Sequence, residues 1–180
     1  MSYQFANNGS KHQYTVDGFA QFDWNPTKYF NVITGLRFDY YSDSDINHFS
    51  PKLGLMYKIG NCSLRGSYAG GFRAPTLKEM YMNFDMASIF MIYGNPDLKP
   101  ETSHNFSLSA EYMKGRYNLT VTGFYNVVDN RITTAWSEAL KGQVYTNISN
   151  IRISGAEANA SVKYPCGLSH VYLTPIHTRI

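Results

Sequence analysis

NFSLSAEYMKGRYNLTVTGFYNVV, Asn105 to Val128, alternates apolar and polar residues on both sides of a Lys114-Gly115 turn. Phe106, Leu108, Ala110 and Tyr112 oppose Asn105, Ser107, Ser109 and Glu111. After the turn, Leu119, Val121, Gly123, Tyr125 and Val127 oppose Asn118, Thr120, Thr122 and Asn126, with Phe124 as an aromatic on the polar side. Successive side chains of a strand point to opposite faces. The pattern therefore predicts an antiparallel hairpin with one apolar and one polar face.

The same alternation runs outward in both directions. Val16, Gly18, Ala20 and Phe22 share a face, then Phe30, Val32, Leu36, Phe38 and Tyr40, then Leu53, Leu55 and Tyr57, then Leu64, Tyr68 and Phe72. The opposite faces carry Asp17, Arg37, Asp39, Lys52, Arg65, Arg73 and Glu111, and further on Glu157 and Lys163. In the last long run Ile151 and Ile153 fall out of step with Ala156, Ala158, Ala160, Val162 and Tyr164. A β-bulge beside Gly155 is expected to restore the facing.

Connections alternate in length. Trp24–Lys28, Lys58–Asn61 and Lys114-Gly115 read as short turns, whereas Ser42–His48, Gly71–Ser103 and Thr133–Gln143 read as longer loops. An up-and-down membrane barrel has this asymmetry, with short turns on one side and long loops on the other. Composition leaves a soluble β-sandwich open, because hydrophobic residues make up 43% and mean hydropathy is −0.33. Fifteen Tyr and eleven Phe suit interfacial girdles and also ordinary strands. No apolar run reaches the ~20 residues of a membrane helix. Loop asymmetry and polar inner faces favour the barrel. The fold expected is all-β, an antiparallel up-and-down transmembrane β-barrel segment.

The longest loop opens with GFRAPTLKEMY (Gly71–Tyr81) and closes with GNPDLKPETS (Gly94–Ser103). Long loops between strands carry binding function. Tyr81, Phe84, Phe90 and Tyr93 can stack on a planar or greasy ligand, and Met82, Met86 and Met91 offer adaptable apolar contacts. Arg73, at the barrel mouth, could pair with ligand carboxylates. Equally, Pro75, Pro96 and Pro100 could simply stiffen the loop while its aromatics pack on neighbouring loops.

The pairing of Phe72-Arg73-Ala74-Pro75 with Asn95-Pro96-Asp97-Leu98-Lys99-Pro100-Glu101 resembles the extracellular loop region of TonB-dependent outer-membrane receptors. YTNISNIRISGAE, Tyr145 to Glu157, resembles that family's following strand. The resemblance covers residues 14–164. It implies that the chain is about 7–8 strands of a barrel of about 22, with the plug domain absent. It implies a receptor for active uptake of a ferric siderophore, haem or cobalamin, in the outer membrane of a Gram-negative bacterium. The partners it implies are outer-membrane lipid, the TonB-ExbB-ExbD energy complex acting through the missing plug, the metal chelate itself and a surface lipoprotein. Haem-binding members have a histidine between the two boxes, whereas here none lies between Arg73 and Asn95; His104 follows the second box. Cobalamin receptors carry a run similar to these boxes, so a corrin ligand stays open.

Other chemistries find little support. Net charge is +3 and dispersed, which argues against nucleic acid. No catalytic set, resident metal or covalent cofactor is expected; His48 and Asp45 share a loop but lack a nucleophile-elbow context. Cys62 and Cys166 are expected about three strands apart, roughly 14 Å, too far for a disulfide. Residues 1–13 read as a partial strand or loop. The start of the chain lacks the pattern of a signal peptide. Residues 165–180 read as an atypical, truncated tail with Pro175 inside the expected strand. A passive or adhesive barrel, or a soluble β-protein binding module, is the competing class.

Overall fold

The computed structural model describes residues 3–5, 13–42, 46–86, 89–164, 167–173 and 176–179. Its strands are β1 (Tyr3–Phe5), β2 (Thr15–Thr27), β3 (Phe30–Tyr41), β4 (Ile46–Ile59), β5 (Cys62–Arg73), β6 (Met82–Met86), β7 (Phe90–Tyr93), β8 (Glu101–Lys114), β9 (Tyr117–Ser137), β10 (Gly142–Tyr164), β11 (Gly167–Leu173) and β12 (Ile176–Arg179); one helix, α1, spans Leu77–Tyr81. Strands β2, β3, β4, β5, β8, β9 and β10 form a meander in which each antiparallel pair is adjacent in the sheet. This is the expected wall. It is an open sheet, with β2 at one edge.

Short turns close one end. Gly60 and Gly115 both sit at φ 58°, the left-handed geometry that glycine enters without a Cβ penalty. At the other end the strands run further than alternation suggested. β4 already begins at Ile46, inside the expected Ser42–His48 loop. β9 continues to Ser137 and β10 starts at Gly142, so most of the expected Thr133–Gln143 loop is a paired hairpin. Ladder hydrogen bonds need no apolar face, so pairing outlasts the alternation that sequence reading depends on.

The bulge expected at Gly155 is absent. β9 and β10 keep one register from Gly142↔Ser137 to Val162↔Tyr117, including Gly155↔Phe124. Ile151 and Ile153 therefore point to the polar side with Val128 and Asn126, and Ile151 is only 3% exposed. Ile153 is half-buried on the same side. The ladder is interrupted only between the Ile148↔Arg131 and Asn150↔Asp129 pairs, beside Asn130 at φ 54°.

The tail joins the wall. β11 and β12 both pair with β10, with Ala158↔Leu173 and Gly155↔Ile176 in one shared register on either side of residues 174–175. Pro175, Cys166 and Asp45, singled out above, lie outside the described residues.

Among the described residues the apolar face is left open. Leu108 is 67% exposed, Phe22 63% and Val16 54%. On β9 the outward residues are apolar from Tyr117 to Val127, then turn polar at Asp129 and Arg131. That apolar length matches the ~9–11 residues of a tilted membrane-spanning strand. Water would penalise so wide an exposed apolar face, and lipid does not. The opposite face pairs its charges, Arg37 with Asp39 at 2.7 Å and Arg65 with Glu111 at 2.9 Å.

The facing of β10 is open to a direct test. In a Cys62→Ser, Cys166→Ser background inserted into lipid, Ile153→Cys is expected to react quickly with a charged maleimide and Ala156→Cys slowly. The reverse order would restore the bulge.

Candidate functional site

The loop between β5 and β8 is folded, not merely long. Thr76 caps α1: its hydroxyl accepts from Glu79 N at 3.3 Å, while the Glu79 carboxylate accepts from Thr76 N at 2.8 Å. This is a reciprocal capping box, T-x-x-E, legible at Thr76–Glu79 though not singled out above. After α1, β6 and β7 form a hairpin with Phe84↔Ile92 and Met86↔Phe90 opposed. β7 then runs parallel to the start of β10, pairing Gln143↔Ile92 and Val144↔Tyr93. The loop thereby adds strands to the β9–β10 hairpin where it stands above the apolar belt. Gly142 permits the close approach, since a Cβ there would lie 2.6 Å from Met91 O and 2.9 Å from the Tyr93 ring.

Arg73 sits at the joint between wall and loop. It faces Glu101 across the β5–β8 pair and donates to it through Nε at 2.9 Å and through Nη2. Its Nη1 donates to both Glu79 carboxylate oxygens, at 3.0 and 3.1 Å. Glu101 also accepts from Ile132 N on β9 at 3.0 Å. One guanidinium thus ties β5 to α1, and through Glu101 to β8 and β9. Burial pushes the Glu79 carboxyl up. The Thr76 amide, the Arg73 guanidinium and the Thr76 hydroxyl together outweigh it and hold the group below its ordinary value.

The second box is stitched down in the same way. Asn95 donates through its amide nitrogen to Tyr145 O at 2.9 Å and through its backbone to Glu79 O at 2.9 Å. Its side-chain oxygen accepts from Asp97 N at 3.0 Å, an Asx turn. Asn147 on β10 donates to Lys99 O at 2.8 Å and accepts from Lys99 N at 2.8 Å. Leu98 is buried with Met80 and Ile132, and Leu77, Tyr81 and Tyr145 pack around them. Ala74 and Pro75 are buried beneath. Pro96, Asp97 and Lys99 lie exposed, Pro100 half-buried. Phe72 stacks on His48 with ring centroids 4.3 Å apart and leans on Tyr41 at 5.8 Å. The boxes therefore act as anchors.

The residues considered for ligand contact separate into three places. Tyr81 belongs to the buried base. Phe84, Met86 and Phe90 share one face of the hairpin, and Phe90 meets Trp136 of β9 edge-on at 6.3 Å. Met91 and Tyr93 lie on the other face, Tyr93 against Gly142. Trp136, 55% exposed, was missed because it sits in the segment read as a separate loop. Among the described residues no cluster of three His, Cys, Asp or Glu side chains could hold a metal ion.

A family model for TonB dependent receptor-like β-barrels matches residues 2–174. The chain belongs to that family. It is similar to the iron-regulated outer membrane virulence protein of Vibrio cholerae serotype O1, with 32% identity over 81% of this chain and 24% of that protein. It is also similar to the probable TonB-dependent siderophore receptor PirA of Acinetobacter baumannii, with 33% identity over 57% of this chain and 15% of that protein. The chain thus spans a quarter or less of these relatives. Among solved structures, the siderophore receptor PirA from Pseudomonas aeruginosa superposes at TM-score 0.77 with 21% identity, over 92% of this chain and 32% of that one. The hemophore receptor HasR of Serratia marcescens superposes at 0.81 with 18% identity, over 92% and 34%. These two show the fold. As a TonB dependent receptor-like barrel, the chain is a segment of an outer-membrane β-barrel of a Gram-negative bacterium.

Removing the joint has a calculable cost. Arg73→Ala leaves two carboxylates without their cation, and about 1–3 kcal/mol of loop anchoring is expected to be lost. Protease sensitivity of residues 77–93 in lipid-inserted protein reads this directly. The Glu79 pKa is lowered on folding, so its stabilisation is complete above the ordinary value of 4.5 and declines as pH falls through the lowered value. Acid-induced loosening of the loop should therefore disappear in Glu79→Gln, which is already loosened at neutral pH.

Proposed function

We propose that the intact protein is an energised outer-membrane receptor that takes up an iron chelate, and that this chain supplies part of its wall and one outer loop. The observation that supports this best is the apical face formed by Phe84, Met86, Phe90 and Trp136 on a hairpin clamped to the wall. Clamped aromatics lose little freedom on binding, so they favour capture of a flat, partly aromatic ligand.

A ferric siderophore fits better than the alternatives. The loop offers aromatic faces and no histidine from Arg73 to Asn95, which disfavours an axial iron ligand for haem at this place. A cobalamin would meet the same aromatics but has no further feature in its favour. Relatives are named for iron regulation, siderophores and ferrienterobactin, and others for hemoglobin and heme, so the preference for a siderophore rests on the loop. Arg73 is assigned to holding the loop, because both faces of its guanidinium fork are already taken by Glu79 and Glu101. Uptake against a gradient requires coupling to TonB-ExbB-ExbD through a plug outside this chain, and a surface lipoprotein could deliver the chelate. The role is transport and not catalysis.

Uptake of iron-55 complexed with a catecholate siderophore, in cells carrying the intact gene, tests this reading. Phe90→Ala with Trp136→Ala is expected to raise the half-saturation concentration about tenfold, at roughly 0.5–1.5 kcal/mol per aromatic contact. A protonophore should abolish accumulation. Uptake indifferent to both would contradict the proposal.

A further inference from the structure

The aromatic surface proposed above for the chelate has one polar side chain at its centre. Trp136 on β9, Gln143 on β10, Ile92 on β7 and Phe84 on β6 are partners in register and form one row across four strands. Register partners put their side chains on one side of a sheet. This side is opposite the apolar belt, because Trp136 keeps the parity of Asn118, Thr120 and Thr122 on β9. Adjacent strands lie about 4.8 Å apart, so Gln143 stands one strand spacing from Trp136 and one from Ile92. A ring laid on the Trp136 indole carries its nearest substituent over Gln143.

Among the described residues the Gln143 side chain makes no hydrogen bond. It is half-buried, and neither its oxygen nor its nitrogen is a sealed polar atom, so both reach solvent. The rest of the row offers no polar handle. Ile92 and Phe84 have none by chemistry, and the Trp136 indole Nε1 already donates to Glu138 Oε1 at 3.0 Å. The amides of the anchor behave differently. Asn95 and Asn147 each spend both ends on backbone groups. Gln143 is fixed by its ladder while its amide head stays free. When a flat ligand covers the row, water leaves, and that amide has to find its partner on the ligand.

We propose that Gln143 is a specificity-determining residue of this site and that its amide pairs with a carboxamide beside the chelate's flat ring. The inference rests on the iron-chelate reading above. A primary amide both donates and accepts, so it pairs with a carboxamide whichever end that group turns towards it. An alkyl linker in the same place answers neither end and leaves the Gln143 amide covered and unpaired. Stacking on Trp136 and Phe90 accepts either ligand, so it sets strength and not choice.

The test is equilibrium binding of iron-55 probes to de-energised cells that carry the intact gene and no other iron receptor. The probes are a pair of hexadentate ferric tris-catecholates of equal charge, one with carboxamide linkers and the other with methylene linkers. The unaltered receptor is expected to bind the carboxamide probe about fivefold more tightly. Gln143→Leu should remove that advantage by weakening the carboxamide probe alone, and its unchanged affinity for the methylene probe shows that the site is still folded. Gln143→Met, nearer in shape, should act in the same way. Trp136→Ala should weaken both probes and keep their ratio. Equal affinity for the two probes in the unaltered receptor, or an unchanged ratio in either Gln143 variant, would overturn the role of Gln143 and leave the iron-chelate reading standing. Saturable binding of neither probe would overturn that reading and the inference with it.

Discussion

A single guanidinium between two carboxylates joins the wall of this protein to its outer loop. Arg73 ends β5, Glu101 begins β8, and Glu79 belongs to the helix between them. The wall needs no such device. Its strands are held by ladder hydrogen bonds and its apolar face by lipid. The loop has neither support. Its buried residues are few, chiefly Ala74, Pro75, Met80, Met82 and Leu98. So small a core does not fix a long excursion by itself, and the ion pairs and Asn-mediated bonds supply the rest. Each partner is also bonded elsewhere: Glu79 to the Thr76 cap and Glu101 to the β9 amide. The arrangement is a network and not an isolated surface pair, which would contribute little.

The consequence is a division of labour along the loop. Residues near its two ends, where the recognisable boxes lie, hold it in place. Residues at its middle, on the β6–β7 hairpin, share a face with Trp136, on the side of the sheet away from the apolar belt. A box that identifies the family therefore says little about cargo, because it encodes the anchor. Cargo preference has to come from the hairpin, where Phe84, Met86 and Phe90 line up on one face.

Most of the wall was legible in the sequence, for a physical reason. Lipid on one side and a polar interior on the other force strict alternation, as at Phe106 to Tyr112 and Leu119 to Val127. Where that constraint ends, legibility ends too. β9 beyond Asp129 keeps its ladder but loses its apolar face, so Thr133 to Ser137 read as loop. Ile151 and Ile153 looked like a slip of register, yet they are apolar residues on the polar side of an unshifted ladder, Ile151 buried there. The hairpin β6–β7 is short, and its docking onto β10 depends on a non-local contact at Gly142. In the candidate site the aromatics were visible by type, but their separation into Tyr81 below, Phe84 and Phe90 above and Tyr93 behind required the fold. The role of Arg73 turned on Glu79, whose T-x-x-E spacing from Thr76 was the one local clue.

The central claim is that Arg73 holds the loop to the wall. Amide hydrogen exchange of the lipid-inserted protein, with Arg73→Met compared against the unaltered chain, measures it most directly. The account predicts faster exchange at Asn95, at Ile132 and along Phe90–Tyr93, with the β4–β5 ladder unchanged. Equal protection of those loop amides in both proteins would contradict it.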